Sequence, residues 1–140
     1  QNGKDDFTKC PNGAPGVETR MPIVFSEGVS KGRLSLNEFA AVTSTNPAKI
    51  FGMYPKKGVL APGSDADIVL MNPDMEVTIT KNILHENVDY TPYEGIQVKG
   101  WPVMTMVRGQ AVVENERLQV PLGFGRYINR KPVKYTELLK

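Results

Sequence analysis

The side chains that could do chemistry in this sequence are few and lie far apart. The chain has one histidine, His85, and one cysteine, Cys10. A hydrolytic metal centre needs several histidine and carboxylate ligands that converge on one point, and one histidine cannot supply them. A thiol acts as a nucleophile when a base lies beside it, and the sequence offers Cys10 none. We therefore predict no catalytic and no metal-binding residue in this chain, with His85 structural and hydrogen bonded, and Cys10 an inert thiol.

Asp65 and Asp67, which flank Ala66, resemble a pair of catalytic carboxylates. They lie where a turn meets an apolar run, so we predict that they accept hydrogen bonds from turn N–H groups instead of doing catalysis. Two small groups of basic residues are too sparse to suggest a phosphate site, and we expect them to be solvated. These are Lys56, Lys57, Arg126, Arg130 and Lys131. No glycine pattern typical of a phosphate-binding or dinucleotide-binding loop occurs.

Residues 1–17 predict an irregular loop, because glycine, proline and asparagine crowd there. Two interpretations of this loop are open. It is a surface connector, or it is a ligand-contacting loop whose backbone comes close to a bound molecule, which glycine permits.

Helices that follow this loop in sequence must hold it in position. Apolar residues recur at helical spacing over 18–31, with Pro22 in the first turn and an expected end at Gly32. Ser35 and Glu38 match the capping box at the start of a second helix. We expect the polar run 43–45 to break that helix.

A short third helix is predicted to restart at Asn46-Pro47, with Asn46 as its cap, and to end at Gly52. After Gly58 the spacing favours strands, with Arg108-Gly109 in a hairpin link and Asn115-Glu116 in a tight turn. The predicted strands are 67–72, 75–80, 103–107, 111–114 and 118–120. The segment 91–101 is rich in tyrosine, proline and glycine, and we expect an ordered loop there. The second half is therefore predicted to be a small antiparallel β unit.

Composition excludes several classes of protein. The chain has 140 residues, 40% of them hydrophobic and 23% charged, which is typical of a globular domain. A formal net charge of +2 favours neither nucleic acid nor a membrane surface as a partner. No apolar run approaches the roughly 18 residues that cross a bilayer. The sequence opens on Gln1, and each half has the pattern of a part that docks on something absent, so we expect a fragment.

Several segments together resemble the hydantoinase and dihydropyrimidinase type of cyclic amidohydrolase. The loop containing Pro11-Asn12-Gly13 is the most diagnostic, and the Gly63-Ser64-Asp65-Ala66-Asp67 segment is shared more widely among amidohydrolases. Cys10 departs from the aliphatic residue expected in the family. The segments that match in order are 4–13, 15–20, 43–52, 61–69, 87–95, 100–102 and 107–109. They cover nearly the whole chain.

The resemblance implies an α/β fold: the C-terminal fragment of a (β/α)8 TIM barrel, with its closing helices, plus part of a small β-sandwich domain. Residues 1–55 would be the end of the barrel domain, with a substrate loop. Residues 56–120 would belong to the β-sandwich. Residues 121–140, with Phe124, Tyr127 and Tyr135 among cations, would be an oligomerisation arm of a homotetramer.

The chemistry implied is metal-dependent opening of dihydropyrimidine or hydantoin rings in the cytoplasm. Two divalent metal ions, usually zinc, would be held by the remainder of the parent chain, with none in this fragment, which would be inactive alone. Asn12 would bind the cyclic amide largely through its backbone N–H and C=O, while Pro11 and Gly13 shape the turn. Loops that follow the strands are where such barrels bind substrate. Neither nucleic acid nor membrane is an expected partner.

Three alternatives stay open at this point. The parent could be an allantoinase or dihydroorotase relative, although the Pro11-Asn12-Gly13 loop fits these less well. It could be a non-catalytic dihydropyrimidinase-like protein that uses the same fold for assembly, as metal-free relatives in neurons do. The chain could also be a free-standing interaction module.

Overall fold

Helices occupy the first half of the chain and strands the second, in a computed structural model that describes residues 5–10 and 12–133. A short 3₁₀ turn, Phe7–Lys9, precedes the helices. The elements are α1 (Arg20–Val24), α2 (Leu36–Ala40), α3 (Asn46–Ile50), β1 (Ile68–Thr78), β2 (Gln97–Val107), β3 (Gln110–Glu114) and β4 (Arg117–Leu118). Helices with an antiparallel sheet confirm the α/β class, whereas the barrel and sandwich assignments stay predictions.

The first predicted helix is confirmed over 20–30. It begins as α1, with Pro22 in its first turn, and widens into a π-helical stretch at Phe25–Ser30. Gly32 then adopts a φ of 68°, in the left-handed region that glycine tolerates at a helix end. This helix lies on the sheet, where Phe25 meets Gly100.

The capping box at the start of α2 is confirmed in both directions. The Glu38 N–H donates to Ser35 Oγ at 3.2 Å, and the Ser35 N–H donates to Glu38 Oε2 at 2.8 Å. These bonds hold the pKa of Glu38 below its usual value, chiefly through the Ser35 backbone N–H.

Ser35→Ala should destabilise the chain by about 1 kcal/mol, because the first turn of α2 loses a side-chain acceptor. A shift in the urea midpoint without a change in slope would show it. Asn37→Ala, also exposed and in the same turn but without a capping role, is the control. Equal midpoints for the two variants would contradict the capping role.

The predicted break at 43–45 is wrong. Residues Ala41–Thr45 stay helical as a π stretch that runs into α3, and Asn46 is helical (φ −66°, ψ −45°) and does not cap. The reason lies in Pro47, which has no N–H for the carbonyl four residues before it, so the wider turn accommodates it. The Thr43 hydroxyl donates to the Phe39 carbonyl, one turn earlier, at 2.7 Å, so this polar side chain is satisfied without breaking the helix.

The sheet has four strands in the order β1-β2-β3-β4, with antiparallel neighbours. Both predicted tight turns are confirmed. Arg108 and Gly109 have φ of 52° and 79°, and Asn115 and Glu116 have φ of 50° and 60°. Two successive positive φ values suit the twist of a two-residue hairpin loop.

The first and last strands, β1 and β4, differ from the prediction. The two strands predicted at 67–72 and 75–80 form one, β1, whose register shifts between Asn72 and Glu76. Pro73 lies in that shift, where its missing N–H costs no ladder bond. The last strand, β4, begins one residue before its predicted 118–120 and is shorter.

The loop predicted for 91–101 is wrong over its last part, because β2 begins at Gln97. Val98 and Trp101 face inward and pack with Ile79, which is fully buried, to form the core. Gly100, which suggested a loop, has a φ of 99° and instead makes room for the Phe25 ring. Phe25 in turn packs edge-to-face on Phe39, with ring centroids 5.3 Å apart, which joins the helices to the sheet.

The tail returns to the body of the protein over the part that the structure describes. Arg108 Nη2 donates to the Phe124 carbonyl at 3.0 Å, and its guanidinium lies 4.5 Å from the Phe124 ring centroid. The Lys131 N–H donates to the Gly52 carbonyl at 3.0 Å. Tyr135, part of the predicted arm, lies outside the described residues.

Among the described residues, the helices are too short or too polar to traverse a bilayer.

Candidate functional site

The predicted substrate loop is organised locally before its apex. Asp6 caps the Phe7–Lys9 turn and accepts hydrogen bonds from the Thr8 N–H at 3.0 Å and the Thr8 hydroxyl at 2.6 Å. Lys9 Nζ lies 3.2 Å from the same carboxylate. The Thr8 hydroxyl and then Lys9 lower the pKa of Asp6. The carboxylate is therefore ionised and keeps this turn closed.

The apex of the loop presents its backbone at the surface. Asn12, Gly13 and Ala14 are exposed, and Gly13 has a φ of 88°, which favours glycine. Among the described residues other than its chain neighbours, no group lies within 4 Å of the place where a Gly13 side chain would begin. Asn12 and Gly13, two of the three predicted substrate contacts, thus sit together on an open turn. Pro11, the third, lies outside the described residues.

The exit of the loop is packed against the β half. A side chain on Gly16 would begin 3.3 Å from Tyr93 Cε2, so the glycine lets the tyrosine ring lie against the chain. The Gly16 carbonyl then accepts the Arg20 N–H at 3.2 Å, and the Thr19 carbonyl accepts that of Ile23 at 3.1 Å. The loop therefore passes directly into α1.

Glu18 and His85 form a polar link between the helical and the strand halves of the chain. The Glu18 carboxylate accepts the His85 backbone N–H through Oε2 at 2.7 Å, and its Oε1 lies 2.7 Å from His85 Nδ1. On the other side, His85 Nε2 lies 2.9 Å from the Glu116 carbonyl oxygen. The Glu18 side chain, followed by the Glu116 backbone, raises the pKa of His85. The prediction that His85 has a hydrogen-bond partner is confirmed.

An apolar cavity of about 320 Å³ lies between α1 and the sheet. Glu18, His85 and Glu116 contribute its polar lining, with Met21 and Trp101 among the apolar residues. Sequence reasoning missed this arrangement, because its parts come from three distant segments. The only hint of this arrangement in the sequence was that His85 is the single histidine.

Asp67 makes the turn contact that the sequence predicts, whereas the Asp65 carboxylate pairs with Lys57 instead. Asp67 Oδ1 accepts the Arg108 N–H at 2.9 Å in the β2–β3 turn. Both carboxylates also bind Lys57, whose Nζ is 2.9 Å from Asp65 Oδ2 and still closer to Asp67 Oδ2. The prediction of a solvated Lys57 is wrong, because its side chain is only 14% exposed and ion-paired. Lys57 lowers the pKa of Asp65.

The donor groups of the described residues do not fit a hydrolytic metal centre. Over 5–10 and 12–133, no three His, Cys, Asp or Glu side chains converge closely enough to hold an ion. Cys10 is exposed, and the inert role given to it stays a prediction.

Comparison with known proteins places this loop and sheet in context. The sequence profile of the amidohydrolase family matches residues 11–112. D-hydantoinase from Geobacillus stearothermophilus is 47% identical over 137 residues, which is 98% of this chain and 29% of that protein. D-phenylhydantoinase from Escherichia coli O1:K1 is 46% identical over 132 residues, covering 94% of this chain and 29% of the relative.

The fold agrees with the sequence. The crystal structure of dihydropyrimidinase from Brevibacillus agri superposes with a TM-score of 0.89 and 52% identity, over 92% of this chain and 28% of that one. The chain thus spans about 29% of the length of the curated relatives it matches. The resemblance to hydantoinases and dihydropyrimidinases is confirmed. The chain belongs to the amidohydrolase family, and nearly all of it is homologous to the hydantoinase and dihydropyrimidinase members of that family.

Proposed function

We propose that this chain is the C-terminal, substrate-side part of a metal-dependent hydrolase that opens cyclic amides such as dihydropyrimidines or hydantoins. The observation that carries the proposal is the match to D-hydantoinases over 94–98% of the chain at 46–47% identity. The family match begins at residue 11 and so includes Asn12. The fold also matches, with a TM-score of 0.89 and 44% identity to a solved D-hydantoinase.

Asn12 is proposed to bind the ring through its backbone. A cyclic amide is held in the cis form, so its N–H and C=O point the same way, and a neighbouring backbone donor and acceptor complement both. The exposed apex at Asn12 and the left-handed Gly13 support this role, because both leave the backbone open to a ligand. Pro11 is proposed to shape the turn with Gly13.

We propose that the parts of this chain have separate roles in the parent protein. Residues 1–55 are proposed to close the barrel and 56–120 to belong to the β-sandwich, which agrees with strands that begin only at Ile68. Residues 121–140 are proposed as the arm of a homotetramer, supported by Leu122 at 95% and Tyr127 at 84% exposure. The metal ions, proposed to be two zinc ions, would be held by the rest of a cytoplasmic parent protein.

The test compares the intact protein that contains this sequence with the 140-residue chain alone. With zinc supplied, the intact protein should open dihydrouracil or hydantoin, whereas the purified chain alone should show no turnover above the uncatalysed rate. Ring opening is followed by the loss of ring absorbance and by detection of the carbamoyl product. Turnover by the chain alone would overturn the fragment proposal. A zinc-loaded intact protein that opens neither ring would favour the non-catalytic assembly protein.

A further inference from the structure

The link between Glu18, His85 and Glu116, here called the Glu18–His85 clamp, joins three segments that are far apart in sequence. Glu18 lies between the Asn12 loop and α1, His85 lies between β1 and β2, and Glu116 lies in the β3–β4 turn. Glu18 and His85 are 67 residues apart, yet two contacts of 2.7 Å join them. The clamp therefore ties the end of the loop to the sheet.

Both atoms that face the His85 ring are acceptors. Nδ1 points at a carboxylate oxygen of Glu18 and Nε2 at the carbonyl oxygen of Glu116. A neutral imidazole donates through only one nitrogen, whereas the imidazolium donates through both. The complete clamp thus needs a protonated His85, and loss of one proton leaves two acceptors with a single donor.

The loop has further anchors at the same end. The Glu18 N–H donates to Glu86 Oε1 at 3.3 Å, and the chain at Gly16 lies against Tyr93. Toward Asn12 the chain is exposed. The position of the apex consequently depends on how firmly its exit is held, and Glu18 is held there by His85 and Glu86.

We propose that Glu18 and His85 are positioning residues for the Asn12 loop, in a clamp that is complete when the His85 ring carries both protons and slackens when it loses one. This rests on the proposed function, because Asn12 matters for catalysis only if it binds the ring. The charged side chains around the ring are Glu18 from before α1, Glu116 from the β3–β4 turn and, beyond Glu18, Glu86 from the segment of His85 itself. All three are acids, and the charges of Glu18 and Glu116 favour the imidazolium.

The direction of the pH effect follows from the pKa of His85, which the Glu18 carboxylate raises above 6.5. The clamp contributes its full stability below the ordinary pKa, where the ring is protonated in the folded and unfolded chains alike. As the pH rises through the raised pKa of the folded state, that contribution is lost. The loop should therefore loosen on the alkaline side of 6.5.

The test measures hydrogen exchange of the loop amides in the intact protein at several pH values, as protection factors that correct for intrinsic exchange. In the native protein, protection of the Glu18 and Arg20 amides at the loop exit, which donate to Glu86 Oε1 and to the Gly16 carbonyl, should fall with a midpoint above 6.5. Glu18→Gln should lower both the protection and the pH midpoint. The factor by which it raises KM should be roughly ten times the factor by which it lowers kcat. Glu27→Gln, which removes the same charge from a surface pair with Lys31 at 2.7 Å, should behave like the native protein. His85→Arg keeps the charge and should retain protection at high pH.

Outcomes for the clamp and for the enzyme can be told apart. Loop protection that titrates and responds to Glu18→Gln, in a protein that opens no ring, would support the clamp and contradict the proposed function. An active protein in which Glu18→Gln changes neither protection nor KM would overturn the clamp. Thermal unfolding of each variant identifies any that fail to fold. If a variant fails to fold, the native protein decides, because the absence of a pH midpoint above 6.5 in its loop protection would overturn the clamp.

Discussion

Asn12→Pro should lower kcat/KM for a cyclic amide by about 100-fold in the intact protein, comparable to the loss when one preorganised hydrogen-bond donor is removed from an active site. Proline has no N–H, and it fixes φ near −65°, so both the donor and the shape of the apex change. Because Asn12 follows Pro11, the substitution also restricts the residue before it. The native apex is exposed, with Gly13 at a φ of 88°, so a direct clash with the body of the protein is not the cause.

Asn12→Ala is the matched control for this experiment. It removes the side chain and leaves the backbone N–H and C=O in place, so most of the activity should be retained. Steady-state kinetics on dihydrouracil, with thermal unfolding of both variants, measure the difference. If truncation of the side chain alone abolished activity, the backbone account of Asn12 would be wrong.

Gly100→Ala should destabilise the chain by about 3 kcal/mol or more. Two costs combine, since a non-glycine residue at a positive φ costs about 1–3 kcal/mol and overpacking a core about 1–3 kcal/mol. The new Cβ would lie only 2.1 Å from Phe25 Cδ1. Phe25 is 5% exposed and packs on Phe39, so its ring cannot move aside cheaply.

Gly63→Ala separates the two costs. Gly63 has a φ of 92°, close to the 99° of Gly100, but its Cβ position has no group within 4 Å in the part of the chain that the structure describes, apart from its chain neighbours. Denaturant unfolding should therefore show only the backbone cost for Gly63→Ala and the additional clash for Gly100→Ala. Losses that agree within about 1 kcal/mol would refute the close packing of Phe25 on β2.

Local signals predicted the parts of the fold that local chemistry controls. The Ser35 and Glu38 capping box, the helix end at Gly32 and the hairpin turn at Arg108-Gly109 each depend on a few adjacent residues, and each is confirmed. Where a distant contact decides, the sequence was misleading. Gly100 suggested a loop because the sequence does not show that Phe25 occupies the space above it.

The candidate site divides in the same way. Asn12 and Gly13 were proposed as site residues through a resemblance carried by adjacent residues, and that role stays a prediction. The partners of His85 could not be predicted, because Glu18 is 67 residues away and Glu116 is 31 residues away. Lys57 was misjudged because the turn that follows it brings Asp65 and Asp67 back onto its ammonium group.

A crystal structure of the intact protein with a bound cyclic amide, such as dihydrouracil held in an inactivated variant, tests the central claim most directly. We expect the ring N–H and C=O to lie within about 2.7–3.2 Å of the backbone O and N of Asn12. A ring that is bound at the active site but touches Asn12 only through its side chain, or lies out of reach of this loop, would contradict the account.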